Sequence, residues 1–89
     1  MLNLVRKSRF KKDFKKLLSS GKDLDKLALI IRALQVQEPL PKGNRDHALT
    51  GNYIGHRECH VSPDWLLIYQ TTETELILVR TGSHSELFS

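Results

Sequence analysis

Trp65-Leu66-Leu67-Ile68-Tyr69-Gln70-Thr71, followed by Thr72-Glu73-Thr74 and then Glu75-Leu76-Ile77-Leu78-Val79-Arg80-Thr81, is the stretch that decides the fold. Two strand-length runs rich in Leu, Ile and Val stand only three polar residues apart, which reads as an antiparallel pair joined by a tight turn. Upstream, Asn52 to Val61 reads as another strand, connected to Trp65 through the turn residues Ser62-Pro63-Asp64. Three strands joined so closely form an antiparallel meander.

Outward from the meander, the apolar period changes from 2 to 3.6. Phe10, Phe14, Leu17 and Leu18 fall at i, i+4, i+7 and i+8, one stripe of a helix that Ser8 is placed to cap. Ser19-Ser20-Gly21 stops it, Gly21 supplying the left-handed conformation that closes a helix end. Asp23 then caps a second helix of about three turns carrying Leu24, Leu27, Ala28, Ile31 and Leu34. Pro39 and Pro41 end that region, since proline lacks the backbone donor a helix needs. Met1 to Val5 suits a short strand. The expected fold is therefore α+β: an N-terminal strand, a two-helix hairpin, and a three-stranded meander whose inner face the helices cover. Residues 1–89 read as one domain, with no repeat or low-complexity tract to split them.

Composition narrows the function classes. Hydrophobic residues at 39% and charged residues at 27% fit a globular fold rather than a disordered chain. One cysteine excludes an intrachain disulfide; with no secretory leader pattern, the expected compartment is a reducing cytoplasm. No apolar run reaches the length of a membrane span. The net charge of +4 favours polyanionic partners, and Arg6 to Lys16 concentrates it, with Lys11, Lys12, Lys15 and Lys16 against a single Asp13. Such a run is either a solvated helix face or a nucleic-acid surface.

All four histidines, His47, His56, His60 and His84, lie in the C-terminal half with the one Trp and the one Cys. His56, Cys59, His60, Asp64 and His84 are metal-ligand types. In an extended strand, however, Cys59 and His60 point to opposite faces and His56 lies about 13 Å from His60, so no metal is expected. Cys59 in a strand reads as a small buried hydrophobe, and no nucleophile elbow surrounds a serine. General acid–base work fits better. His60 ends one strand and Asp64 lies just past the turn, which can bring this imidazole and carboxylate together. His84 follows the last strand, and His47 precedes the meander. Trp65 reads as a packing residue, Phe88 as an aromatic able to stack on a base, and Arg57 and Arg80 as phosphate contacts or as partners of Glu58 and Glu75.

Asp46-His47-Ala48-Leu49-Thr50-Gly51, Arg57 through Tyr69 with Cys59-His60-Val61-Ser62-Pro63-Asp64-Trp65 at its centre, and Arg80-Thr81-Gly82-Ser83-His84-Ser85-Glu86-Leu87-Phe88 closely resemble the YafQ-type toxins of the RelE/ParE superfamily. The motif match covers the C-terminal half. This resemblance implies a microbial ribonuclease-like fold and a toxin of a bacterial type II toxin–antitoxin pair. It further implies metal-independent cleavage of mRNA in the ribosomal A site, with no cofactor. By position His47, His60, Asp64 and His84 match the family's catalytic residues, and Trp65 and Phe88 its functional aromatics. His56 stands where an aromatic is common and inherits no role. The expected partners are mRNA on the ribosome and an acidic, partly disordered antitoxin lying on the basic surface, the toxin alone being monomeric. Two other readings are a superfamily toxin that inhibits a protein such as DNA gyrase, and a basic RNA-binding module without catalysis.

Overall fold

β4 (Trp65–Thr71) forms the middle of the molecule because its side chains are apolar on both faces. Trp65, Leu67 and Tyr69 point toward the helices and Leu66 and Ile68 away from them, all at 2% exposure or less. A strand buried on both faces needs this continuous apolar run, whereas a half-exposed strand alternates. In this computed structural model, which describes residues 1–88, the sheet has five strands in the order β1-β5-β4-β3-β2. These are β1 (Asn3–Arg6), β2 (His47–Ala48), β3 (Arg57–Ser62), β4 and β5 (Glu75–Gly82). β1 runs parallel to β5, and every other neighbouring pair is antiparallel.

Helices α1 (Ser8–Leu18) and α2 (Leu24–Gln35) cover one face, burying Phe10, Leu17, Leu27, Ile30 and Leu34 against Cys59, Val61, Leu76 and Leu78. The expected α+β arrangement is thus present, and Asp23 caps α2, its Oδ1 accepting from Asp25 N at 3.0 Å. Ser8 does not cap α1: Lys7 occupies the cap position and no side chain closes that end. Leu18 is 61% exposed, so the stripe of α1 stops one residue short of the expected set.

The opposite face has its own cover, which the expected one-sided packing lacked. Leu66 and Ile68 meet Leu87, with Leu49, Tyr53 and Val79 packed around them. Leu87 belongs to a short helix, α3 (His84–Phe88), while Tyr53 ends a 3-10 turn over Gly51–Tyr53. That turn replaces the first half of the expected Asn52–Val61 strand. Gly51 at φ +65° and Gly55 at φ +85° take left-handed conformations that extended chain does not contain. His47 lies in a short strand of its own rather than in a loop before the sheet.

Candidate active site

The alternation of β3 sorts its side chains by chemistry. Cys59 and Val61 turn into the helix-side core, and Glu58 and His60 turn to the opposite face beside their cross-strand partners Ile68 and Leu66. Cys59 is fully buried, and desolvation pushes its thiol up to about 12, so it stays protonated and unreactive, as its strand position suggested. Glu58 and His60 are nearly buried too, with side chains 6% and 11% exposed, and His60 Nε2 lies 3.5 Å from Glu58 Oε1. A carboxylate this poorly solvated has its nearest side-chain donor in the adjacent imidazole N–H.

The second imidazole is delivered by α3. Ser83-His84-Ser85-Glu86 forms a capping box: Glu86 Oε1 accepts from Ser83 N at 2.8 Å, and Ser83 Oγ accepts from Glu86 N at 3.2 Å. This cap fixes His84 as the first residue of α3. Asp64, from the β3–β4 turn, accepts through Oδ1 from both His84 N at 3.1 Å and His84 Nδ1 at 3.0 Å. The backbone N–H first, and the imidazole second, hold the Asp64 carboxyl below its usual range. A carboxylate only accepts, so Nδ1 carries the proton and Nε2 of His84 faces outward for chemistry. The His60 and His84 rings are 5.7 Å apart between centroids.

The expected pairing of His60 with Asp64 is therefore corrected. Asp64 holds His84, and Glu58 holds His60. The sequence reading pairs Glu58 only with an arginine, although period 2 along β3 places it on the face of His60. His47 sits on the neighbouring strand opposite Glu58 in register, and its Nδ1 donates to Arg45 O at 2.6 Å. Arg45 adopts a left-handed conformation (φ 48°, ψ 45°), costly for a residue with a β-carbon, and its carbonyl fixes the His47 tautomer.

The arginines also depart from expectation. Arg80 pairs with Asp13 of α1 through Nε at 2.7 Å and Nη2 at 3.1 Å, which raises its pKa further, and Asp13 accepts from Thr81 N as well. Arg57 contacts Asp46 at 3.3 Å, and Tyr69 donates its hydroxyl to the same Asp46 oxygen at 2.6 Å. Neither arginine takes Glu58 or Glu75. Trp65, expected among the substrate contacts, is 1% exposed and donates Nε1–H to Thr81 Oγ1 at 2.9 Å, so its bulk serves the core. Its packing reading holds. Phe88 is 47% exposed, with its ring 6.3 Å from that of His84. Lys11, Lys12, Lys15 and Lys16 are exposed along α1.

Two cavities open near these groups. One of about 440 Å³ is lined by Lys26, Asn44, Arg45, His60 and Ser62 among others. The other, of about 600 Å³, is lined by Arg9, Asn52, Tyr53, Arg80 and Phe88 with Glu86 and Leu87. Glu58, His60 and His84 offer donor atoms within 4.8 Å of one another, a spacing that suits either one cation or a proton relay. The ligand types considered from sequence included His60 and His84 but not Glu58.

A family profile described as "Bacterial toxin of type II toxin-antitoxin system, YafQ" matches residues 2–89. The mRNA interferase toxin YafQ of Escherichia coli strain K12 is 41% identical over 81 residues, covering 90% of this chain and 88% of that protein. Among solved structures, a copper-bound L66S mutant toxin from Helicobacter pylori superposes with a TM-score of 0.94 at 50% identity, covering 99% of this chain and all of the other. YafQ in its E. coli complex with DinJ superposes with a TM-score of 0.91 at 37% identity, covering all of both chains. With its capping box, its paired imidazoles and these relatives along its whole length, the chain belongs to the YafQ family of bacterial type II toxin–antitoxin toxins.

Proposed function

We propose that this protein is an mRNA interferase, an endoribonuclease that cuts mRNA in the ribosomal A site by attack of the substrate's own 2′-OH. The observation that carries this reading is the pair of carboxylate–imidazole couples, Glu58 with His60 and Asp64 with His84, set ring to ring at 5.7 Å. RNA cleavage of this kind needs one group to take a proton and another to give one. With Nε2 turned to Glu58, His60 accepts the 2′-OH proton on Nδ1. The 2′-oxygen bonds to phosphorus as the bond from phosphorus to the 5′-oxygen breaks. His84, as an imidazolium stabilised by Asp64, gives its Nε2 proton to the departing 5′-oxygen. The products are a 2′,3′-cyclic phosphate and a 5′-OH, and atoms and charge balance without a nucleophile from the protein.

His47 sits beside Glu58 and contributes to phosphate binding or to proton transfer, and Phe88 offers an exposed ring next to His84. Arg80, held rigid by Asp13 and lining the cavity of about 600 Å³, is one cationic contact for the phosphate and Arg57 a second. Trp65 acts through the core. The exposed lysines of α1 suit ribosomal RNA or an acidic antitoxin segment, in keeping with the DinJ complex of the E. coli relative. A substrate on the ribosome accords with a cytoplasmic protein, and the toxin free of antitoxin is read as a monomer. No helix among the described residues is long and apolar enough to cross a membrane.

Primer extension on translated mRNA tests this reading. Wild-type protein should leave 5′-OH ends on the downstream fragment, and His84→Ala should lower cleavage by about 10²- to 10⁴-fold with its circular dichroism unchanged. Cleavage at the wild-type rate by folded His84→Ala, or 5′-phosphate products, would remove the mechanism.

A further inference from the structure

β2 is two residues long and both of them are exposed, so the strand has no apolar face of its own to decide which way it points. Strands of that kind slip readily, and a slip of one residue turns every side chain to the other face. For His47 the consequence is chemical. In the observed register it stands opposite Glu58, on the face that carries His60; one residue out of register it would look toward the helices. The register of β2 is therefore held by its neighbours, from both faces of the sheet. On the far side Leu49 packs against the second core.

On the helix side the hold is polar and directly adjacent to His47. Alternation sends Asp46 to the face opposite that of His47, where Tyr69 donates its hydroxyl to Asp46 Oδ1 at 2.6 Å and Arg57 Nε lies 3.3 Å from the same oxygen. Tyr69 is a fixed anchor, since its ring is part of the buried core. Its hydroxyl stays protonated and able to donate, because burial first and the Asp46 carboxylate second raise its pKa. Asp46 also lies between the two ends of the hydrogen bond that fixes the His47 tautomer, the Arg45 carbonyl on one side and the imidazole on the other. Pinning the Asp46 side chain to the core thus fixes both ends at once. Neither Asp46 nor Tyr69 reaches the face where the proton transfers occur, and neither has a part in them.

We propose that Asp46 is the positioning residue of His47: tethered to buried Tyr69, it keeps this imidazole on the face of Glu58 and His60, with Nδ1–H on the Arg45 carbonyl and Nε2 free for the substrate. The proposal rests on the ribonuclease reading for what His47 does, but the placement itself is testable without substrate.

Imidazole ¹H–¹⁵N correlation spectra of the whole protein in alkaline buffer read the tautomer of each neutral histidine. Wild type should show His47 protonated on Nδ1 and bare on Nε2. Asp46→Ala should convert this to the averaged signal of two exchanging tautomers, with the His60 and His84 signals unmoved. Tyr69→Phe should do the same, and because it removes one oxygen and leaves the ring in the core, it decides the matter even if Asp46→Ala fails to fold. Asp46→Asn, which keeps an oxygen for the Tyr69 hydroxyl, should give the wild-type pattern. Primer extension on translated mRNA supplies the second readout. Asp46→Ala should slow cleavage at saturating protein on the order of 10²-fold, the cost of misplacing a group by about 1 Å, yet slow the His47→Ala protein no further. A His47 signal in Tyr69→Phe indistinguishable from wild type would overturn the proposal, as would averaging in Asp46→Asn equal to that in Asp46→Ala. So would an Asp46→Ala effect of the same factor with and without His47, because Asp46 would then serve the fold alone. The two proposals fail separately. These tautomer signatures in a protein that leaves translated mRNA intact remove the nuclease and keep the positioning role; normal cleavage with a His47 signal unmoved by Tyr69→Phe does the reverse.

Discussion

Glu58 and Asp64 each hold an imidazole, but in different surroundings. Glu58 is nearly dry, so its charge acts on His60 with little screening, whereas Asp64 is 69% exposed and acts mainly by orienting His84. Glu58→Gln keeps the shape and removes the charge, and single-turnover cleavage of a short oligoribonucleotide should slow by about 100-fold while thermal unfolding still shows one cooperative transition. An unchanged rate would return Glu58 to a packing role. For Asp64 the pH direction follows from its hydrogen bonds. Its folded pKa is depressed, chiefly by His84 N, so the stability this contact adds is present above the unfolded aspartate pKa and is lost as pH falls through the depressed value. An NMR titration of the His84 amide should therefore turn at a pH below the ordinary aspartate value, and a midpoint at or above that value would contradict the contact.

At the level of elements, α3 is positioned by a glycine. Gly82 ends β5 at φ +157°, and a β-carbon there would stand 3.0 Å from Glu86 Oε1 and 3.4 Å from Leu87 Cδ2. Gly82→Ala thus pushes on the capping box and on the residue that plugs the second core. It should cost about 1–2 kcal/mol, seen as a lower melting temperature, and should also slow cleavage as His84 moves off Asp64. A variant with full activity would show that α3 tolerates displacement. The helical periods of α1 and α2 and the apolar runs of β4 and β5 were legible in sequence, because each is a local pattern repeated over two or more turns or pleats. α3 was not. At five residues it is too short to show a period, and its Ser83/Glu86 cap precedes no apolar run long enough to mark a helix. The turn at Gly51–Tyr53 differs for the opposite reason: the strand expected from Asn52 starts directly after Gly51 and runs through Gly55, two left-handed glycines that extended chain does not accommodate.

Across the whole molecule, the sheet has two cores of unequal size, and Trp65 belongs to the larger. Its indole N–H ends on Thr81 Oγ1, which in turn donates to Leu66 O at 2.8 Å, tying β4 to β5 beneath the site. Trp65→Phe should lower stability by about 1–2 kcal/mol, a fall in melting temperature of roughly 5–15 °C for a domain of this size, with cleavage at low temperature retained. Loss of cleavage without loss of stability would instead make Trp65 a direct RNA contact.

The sequence alone determined the order of β1, α1, α2, β3, β4 and β5, the burial of Cys59, and the set His47, His60, Asp64 and His84 with its family resemblance, because these depend on residue type, spacing and motif. Only the tertiary structure decided which carboxylate serves which histidine. His60 and Asp64 are four residues apart and looked like partners, yet the strand turns Glu58 to His60, while β4 and β5 return the chain to set His84 against Asp64, 20 residues away. Likewise Arg80 is claimed by Asp13, 67 residues earlier. Partners so distant in sequence are chosen by sheet register and by the packing of α1 and α3 on its two faces, and local pattern carries no record of either.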